Sequence, residues 1–283
     1  MTLSVPKISI ITPSYNQTDF IEETIRSIHS QGYPNLEHIV LDGGSNDGTV
    51  EILGRYETVL RWISEPDKGQ ADAINKGFKQ ATGDIVAWLN SDDIYLPAAL
   101  QLVADFFEQH PEIDVVYGDY QLIDSTGNVL LRKKEIPFDY NILLYGLDYI
   151  SQPTTFFRQH VFERVGYLEE TLHYGLDWEY WLRMAQAGCR FAHIPHYLAA
   201  TRWHNEAKTL VAPPKMYAEH QAIRDRYWTK HKFGSAQWQR WYATWLNKRY
   251  RLKRQLLKII LRRAIDFPPG DWVLQQQQKT SQH

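Results

Sequence analysis

The chain has 283 residues, 43% apolar and 23% charged, with a formal net charge of −2. That length holds one large α/β domain plus an appendage, and the apolar share supports a core. The near-neutral balance excludes a strongly basic nucleic-acid binder, and the single cysteine, Cys189, excludes an internal disulfide framework. The N-terminus lacks the basic-then-apolar pattern of a secretory signal, and no window reaches the length that spans a bilayer. A cytoplasmic protein, soluble or peripheral, is therefore expected.

In chain order, 7–12 (KISIIT) reads as a first strand, apolar and β-branched, broken by Pro13-Ser14-Tyr15-Asn16. Asp19 has the position of an N-cap, with Glu22 three residues on, and Ile21, Ile25 and Ile28 form one helical face. Residues 37–41 form a second strand, ended by Asp42-Gly43-Gly44-Ser45, and Asp47 is expected to cap a helix through Ile52 and Leu53. A third strand, 59–64, closes on Glu65-Pro66-Asp67-Lys68-Gly69, and Ala71, Ile74 and Phe78 give the next helical face. The run Ile85–Leu89 is continuously apolar, which suits a central strand covered on both faces, and it stops at Asn90-Ser91-Asp92-Asp93. A helix over 97–109 and a strand at 115–117 follow. Strand alternating with helix in this way predicts a parallel sheet with helices on both faces.

In such sheets ligands bind outside the carboxyl ends of the strands. Four successive strand ends carry polar groups: Tyr15 and Asn16; Asp42 and Ser45; Glu65, Asp67 and Lys68; Asn90, Asp92 and Asp93. One polar strand end is a turn, whereas four on one rim make a site. Adjacent carboxylates at Asp92 and Asp93 suit a hard divalent ion, Mg²⁺ or Mn²⁺, which bridges to phosphates and inverts the local charge. Asp42 can accept hydrogen bonds from a base or ribose, so the rim suggests a nucleotide diphosphate. The acids argue against a nucleic-acid backbone as partner. There is no Walker sequence, no Gly-x-Gly-x-x-Gly after the first strand, no serine elbow and no zinc-type spacing.

Four stretches carry a resemblance to a known family: IITPSYN (10–16), LDGGSNDGT (41–49), SEPDKGQADAINKG (64–77) and LNSDD (89–93). Together, and in this order, they resemble glycosyltransferase family 2, inverting enzymes of the GT-A fold that use nucleotide-activated sugars; the resemblance covers about residues 5–205. It implies that Thr12, Pro13, Tyr15 and Asn16 line the nucleotide pocket together with Asp67 and Asp72. It implies that Asp42 holds the base, that Asn90, Ser91 and Asp92 serve the ribose and metal, and that Asp92, Asp93 and His204 hold the metal. Two positions depart from the pattern. The family's Asp-x-Asp begins here with Asn90, and Ile74 stands where many members carry a phosphate-pairing Arg, leaving Lys68, Lys76 or Arg202 as substitutes.

In the second half, 120–123 and 128–132 flank a turn signal and predict a hairpin, and 151–157 reads as a strand feeding the site. Asp177 precedes a helical run. From the residues alone it is equally an N-cap or a general base. The resemblance assigns it as the catalytic base, since the family places an Asp at the start of a comparable Asp-x-x-x-Trp-Leu-Arg run; Glu179 is the alternative. Trp178 and Trp181 are placed to raise its pKa. A strand over 197–201 leads to Arg202-Trp203-His204.

Between Asp225 and Asp266 there is no acid, and that span holds twelve Lys and Arg. Trp238, Trp241, Tyr242 and Trp245 recur at helical spacing, and Leu252, Leu256, Ile259 and Ile260 continue the pattern. A basic amphipathic helix of this kind lies on an anionic membrane, through 236–264, or packs on the domain or a second copy; we rank the membrane first. The end from Gln275 is expected to be disordered.

The expectation is thus an α/β GT-A domain over 1–210 (nucleotide half 1–118, acceptor half 119–210) and a helical basic extension over 211–283. It would be a metal-dependent inverting enzyme moving sugar from a UDP-, dTDP- or GDP-sugar to a saccharide or glycolipid hydroxyl in bacterial cell-surface synthesis, at the inner face of the plasma membrane, with a homo-oligomer open. The competing readings are an inactive nucleotide-sugar-binding module and a sugar nucleotidyltransferase.

Overall fold

The computed structural model describes residues 5–204, 213–228 and 236–261. The order is β1 (Ile8–Ser14), α1 (Ile21–His29), β2 (Leu36–Asp42), α2 (Thr49–Gly54), β3 (Arg61–Ser64), α3 (Gln70–Gln80), β4 (Ile85–Trp88), β5 (Ile94–Tyr95), α4 (Ala99–Gln109), β6 (Val115–Ile123) and β7 (Val129–Lys133). A π-helical turn at Ile142–Gly146 and a 3₁₀ turn at Gln152–Thr154 precede β8 (Phe156–Arg158), α5 (Val161–Val165), α6 (Leu176–Gln186) and β9 (Phe191–Arg202). Two C-terminal helices follow, α7 (Pro213–Tyr227) and α8 (Ala236–Ile260).

All nine strands join one sheet in the order β3-β2-β1-β4-β8-β6-β9-β5, with β7 added on β6. The quarter from β3 to β4 is parallel, as the alternating pattern required, and its four carboxyl ends share one rim. Beyond it the sheet is mixed rather than mostly parallel. β8 runs antiparallel to both β4 and β6, and β9 antiparallel to β5 but parallel to β6. β8 is reached through turns, whereas α4 and α6 precede β6 and β9, so the helix–strand alternation alone could not foretell which neighbours these strands pair with or in which direction.

The apolar run of β4 behaves as a doubly covered strand. Ile85 and Ala87 point into one apolar cluster with Ile8, Ile10, Leu100 and Val103; Val86 and Trp88 point into the other with Phe78, Phe157 and Trp181. Alternation of successive side chains across the pleat produces this division. The second cluster continues through Trp178 and Tyr180 of α6 into Ile223, Tyr227 and Trp228 and on to Leu246, so both C-terminal helices pack on the same core as the sheet.

Some local expectations are corrected. α1 begins after Phe20 with no side-chain cap, so Asp19 does not cap it. Asp47 does serve the start of α2, its Oδ1 accepting from Thr49 N at 3.0 Å, although Gly48 in left-handed conformation is the residue at the cap. β6 extends without a break from the expected strand at 115–117 through the first arm of the hairpin, because β9 pairs along its whole length. The expected strand over 151–157 is a 3₁₀ turn followed by a short strand. The indole of Trp238, residues 262–264 of the basic stretch, and the end from Gln275 lie outside the described residues or side chains. Among the described residues no helix is long and apolar enough to cross a membrane.

Candidate functional site

The rim of the parallel strands opens into a cleft of about 650 Å³. Pro13, Tyr15, Asp67, Asn90, Ser91, Asp92, Asp93, Asp177 and His204 all border it. Residues up to 191 positions apart thus meet at one place, drawn from the stretches 10–16, 64–77 and 89–93, from Asp177 and from His204, but not from 41–49.

The nucleotide end is built on β1. Its last turn sets Tyr15 at the mouth, 60% exposed, with its ring available for stacking. Gly43 lies flat beneath: a Cβ there would sit 2.8 Å from Asp67 Oδ2 and 3.2 Å from the Tyr15 ring, so a side chain would displace both. Asp67 Oδ1 accepts from Gly69 N at 2.7 Å, which orders the loop into α3.

Four expected residues do not form the cleft wall. Thr12 is buried, its hydroxyl 3.0 Å from His38 Nε2. Asn16 turns its Oδ1 to Asn46 N at 3.1 Å. Asp42 is only 2% exposed, and its carboxylate accepts from Gly44 N, Ser45 N, Ser45 Oγ and Ser64 Oγ at 2.5–3.1 Å. Asp72 accepts from Lys68 N and pairs with Lys76. These side chains order the loops on which the cleft residues stand.

The acidic strand end divides its work. Asp92 faces the cleft, with its Oδ2 3.0 Å from His204 Nε2, and the Phe20 ring packs tilted against that imidazole with centroids 4.9 Å apart. Asp93 turns inward, 3% exposed, where Oδ1 accepts from Arg202 N at 3.0 Å. Burial, then the charge of Asp92, pushes Asp93 well above the usual carboxylate range. Asp93, expected beside Asp92 as a metal ligand, borders the cleft and also braces β9 through the Arg202 contact.

Asn90 sits in a chain of amides. Its Oδ1 accepts from Gln70 Nε2 at 2.8 Å, and its Nδ2 donates to Gln152 Oε1 at 3.1 Å and to Asp93 Oδ2 at 3.3 Å. Gln152 in turn donates to Trp88 O at 2.7 Å. A carboxylate at 90 could not donate to either partner and would add a third charge to the Asp92–Asp93 pair. The departure from Asp-x-Asp is thus matched by its surroundings. Gln70 and Gln152 were missed in the sequence reading; the signal was their place inside quoted stretches, but a lone Gln carries no pattern.

Arg202 is excluded as the missing phosphate cation. Its guanidinium donates to Asp92 O, Asp124 O, Ser125 O and Glu23, and the side chain is buried. Lys76 is held by Glu65 at 2.9 Å and Asp72 at 3.3 Å, while Lys68 is exposed near the rim.

Asp177 is the second residue of α6 rather than its cap. Its Oδ1 accepts from its neighbour Trp178 N at 2.8 Å. Burial raises its pKa to about 6, with a further push from the Glu219 charge. The neighbouring indoles are fixed in the core, where Trp178 donates Nε1 to Leu143 O at 2.9 Å and Trp181 stacks on Trp88 at 5.4 Å. Glu179, the alternative base, is 1% exposed and bound to Arg183 at 2.7 Å and to the Tyr227 hydroxyl at 2.6 Å. It does not reach the cleft and ties α6 to α7.

For a divalent cation, the carboxylate and imidazole that meet at hydrogen-bond distance on the cleft are those of Asp92 and His204. No group of three or more His, Cys, Asp or Glu that could hold a metal exists among the described residues. Two donors fit a cation that completes its shell with diphosphate oxygens and water, the usual habit of Mg²⁺ at phosphates.

The profile of the Glycosyl transferase family 2 matches residues 9–166. An uncharacterized glycosyltransferase of Rickettsia typhi is 28% identical over 227 residues, 77% of this chain and 70% of that protein. The Bacillus subtilis protein named "Putative teichuronic acid biosynthesis glycosyltransferase TuaG" is 41% identical over 134 residues, 46% of this chain and 53% of its own. The chain spans 58% and 31% of two further Rickettsia relatives. Among solved structures, Staphylococcus aureus TarS 1–349 in complex with UDP-GlcNAc superposes with a TM-score of 0.65 at 20% identity, covering 88% of this chain and 72% of that one. The mannosyltransferase PcManGT of Pyrobaculum calidifontis, in complex with GDP-Man and Mn²⁺, gives 0.62 at 20% identity, with 99% and 82% covered. The mixed sheet with its flanking helices is the GT-A fold, and the chain belongs to glycosyltransferase family 2.

Proposed function

We propose that this chain transfers a sugar from a nucleoside-diphosphate sugar to an acceptor hydroxyl with inversion at the anomeric carbon. The observation that carries the reading is that one cleft is bordered by Tyr15 and Asp67, by Asp92 and His204, and by Asp177. Asp177 takes the proton of the acceptor hydroxyl. The acceptor oxygen forms its bond to the anomeric carbon as the bond to the diphosphate breaks, and the electron pair leaves on the nucleoside diphosphate. A base raised to about 6 remains largely ionised at neutral pH, yet is more basic than an ordinary carboxylate. Mg²⁺ or Mn²⁺ held by Asp92 and His204 would neutralise charge on the leaving diphosphate.

TarS was solved with UDP-GlcNAc and PcManGT with GDP-Man and Mn²⁺, which supports a nucleotide-sugar donor and a divalent ion here. The name of TuaG supports a saccharide or glycolipid acceptor in cell-surface polymer synthesis. The test is a panel of UDP-, dTDP- and GDP-sugars read by thermal shift with and without Mn²⁺, then by turnover with and without chelator. One donor should stabilise the protein and be consumed only with metal. Binding without turnover on any acceptor would favour an inactive nucleotide-sugar-binding module.

The outer face of α8 supports an anionic membrane surface as the place of action. Trp241, Trp245, Leu252, Leu256, Ile259 and Ile260 are exposed there, while Arg254 and Lys258 are turned inward and buried. Exposed Lys248, Arg249, Arg251 and Lys253 flank the apolar residues, and the helix has no acid. An anionic membrane surface complements both features. A second copy would set this acid-free helix against its own charge.

A further inference from the structure

We propose that Glu219 of α7 is a positioning residue for the transfer reaction: its carboxylate gathers the three successive N–H groups at 173–175, and so fixes the acceptor side of the cleft and the placement of Asp177. The proposal rests on the reading of Asp177 as the base.

Glu219 Oε2 accepts from His173 N at 2.9 Å, and Oε1 accepts from Tyr174 N and Gly175 N, both at 2.7 Å. These amides immediately precede α6, whose start has no side-chain cap of its own. Helix starts leave backbone N–H groups without intrahelical partners, and those just upstream have no ladder to join. Here a carboxylate from another helix collects them, in charge-assisted bonds of the stronger kind. His173 and Tyr174 border the cleft beside Asp177, so the three bonds fix the wall that an acceptor meets.

The seat is closely fitted. A Cβ on Gly175 would lie 2.6 Å from Ile223 Cδ1 and 3.1 Å from His220 Cδ2, so a side chain at 175 would push α7 from the loop. His220 meets the Trp178 ring edge-on at 5.1 Å, and Arg224 lies over that ring at 5.5 Å. The loop is therefore held between α7 and the core beneath Trp178.

Glu219 also acts through charge. It adds to the burial that raises Asp177. Asp148, half-buried with its Oδ1 enclosed and lacking a hydrogen-bond partner, is raised well above the ordinary range by burial and then by the Asp177 charge. Glu135 and Arg254 are the other charges acting on Asp148; His220 and Arg224 are the titratable neighbours of Glu219 on α7. The charge that pushes Asp177 up, beside burial, is that of Glu219. Its loss makes Asp177 ionise at lower pH and weakens it as a base.

The experiment compares wild type, Glu219→Gln and Gly175→Ala as full chains. Hydrogen exchange of the amides at 173–175 is measured, and turnover is followed from pH 4.5 to 8 with the best octyl glycoside acceptor from a panel. For Glu219→Gln we expect at least tenfold faster exchange at 173–175, a severalfold rise in acceptor KM with donor KM unchanged, and an acid limb displaced to lower pH. For Gly175→Ala, with the carboxylate retained, we expect the rise in acceptor KM without the displaced limb. Unchanged exchange, or an unchanged acid limb and acceptor KM in Glu219→Gln, would overturn the proposal. Retained turnover in Asp177→Asn would instead remove the base assignment, while the exchange result would still report on Glu219 and the loop.

Discussion

Asn90 and Asp177 show how much a single residue depends on what lies around it. Asn90 donates to Gln152 and Asp93, and that pairing is why an amide replaces the acid of the more usual motif. Asn90→Asp would break both donations and crowd three carboxylates together. We expect a loss of about 1–3 kcal/mol, the range for stranding buried hydrogen-bonding groups, read by urea unfolding; equal stability would show that the amide chain is dispensable. As the proposed base, Asp177 would act only when ionised. With its value raised to about 6, turnover should be flat at neutral pH and fall toward tenfold per unit below about pH 6. An acid limb near 4 would mean that the base sits in a wetter place. The rim residues were legible because their chemistry lies within four short stretches. Gln152, Asp148 and Glu219 were not, since each gains its role from a partner brought close only by packing.

At the scale of elements, the first half of the fold could be read from periodicity: the parallel strands and their helices follow from apolar spacing and from breaks at Pro and Gly. The second half could not, because β6 and β9 are long through mutual pairing rather than through any local signal. α8 is the clearest case of a pattern that points two ways. Its cations were visible in the sequence, but not which of them turn inward. Arg254 meets Glu135 at 2.6 Å with both side chains buried, and Lys258 lies 3.7 Å from the same carboxylate. Asn247 and Arg251 donate to carbonyls of the π-helical turn, and Tyr250 stacks on Tyr145. Arg254→Ala would take from buried Glu135 its nearer cation and leave Lys258 at 3.7 Å. We expect it to cost about 3–5 kcal/mol, the usual range for breaking a buried pair, with exchange rising first in α8. A change under about 1 kcal/mol would show the pair to be hydrated rather than buried.

At the scale of the molecule, one continuous core runs from the sheet through α6 into α7 and α8, so the nucleotide rim, the acceptor loop and the outer apolar face of α8 belong to one packed body. Placing that face on a membrane would present the cleft to a lipid-linked or nascent saccharide. The chain should float with vesicles containing anionic phosphatidylglycerol and remain behind with phosphatidylcholine alone, and Leu252→Glu with Leu256→Glu should abolish flotation while leaving turnover of a water-soluble acceptor intact. Absence of flotation together with a concentration-dependent dimer would assign the face to a second copy instead. The most direct measurement of the whole account is transfer by Asp177→Asn, with donor affinity determined on the same sample. The expected result is donor affinity within about twofold of wild type and turnover reduced by the 10²–10⁴-fold typical of losing a general base. Near-normal turnover with intact donor binding would contradict the assignment of Asp177 and, with it, the mechanism built on this cleft.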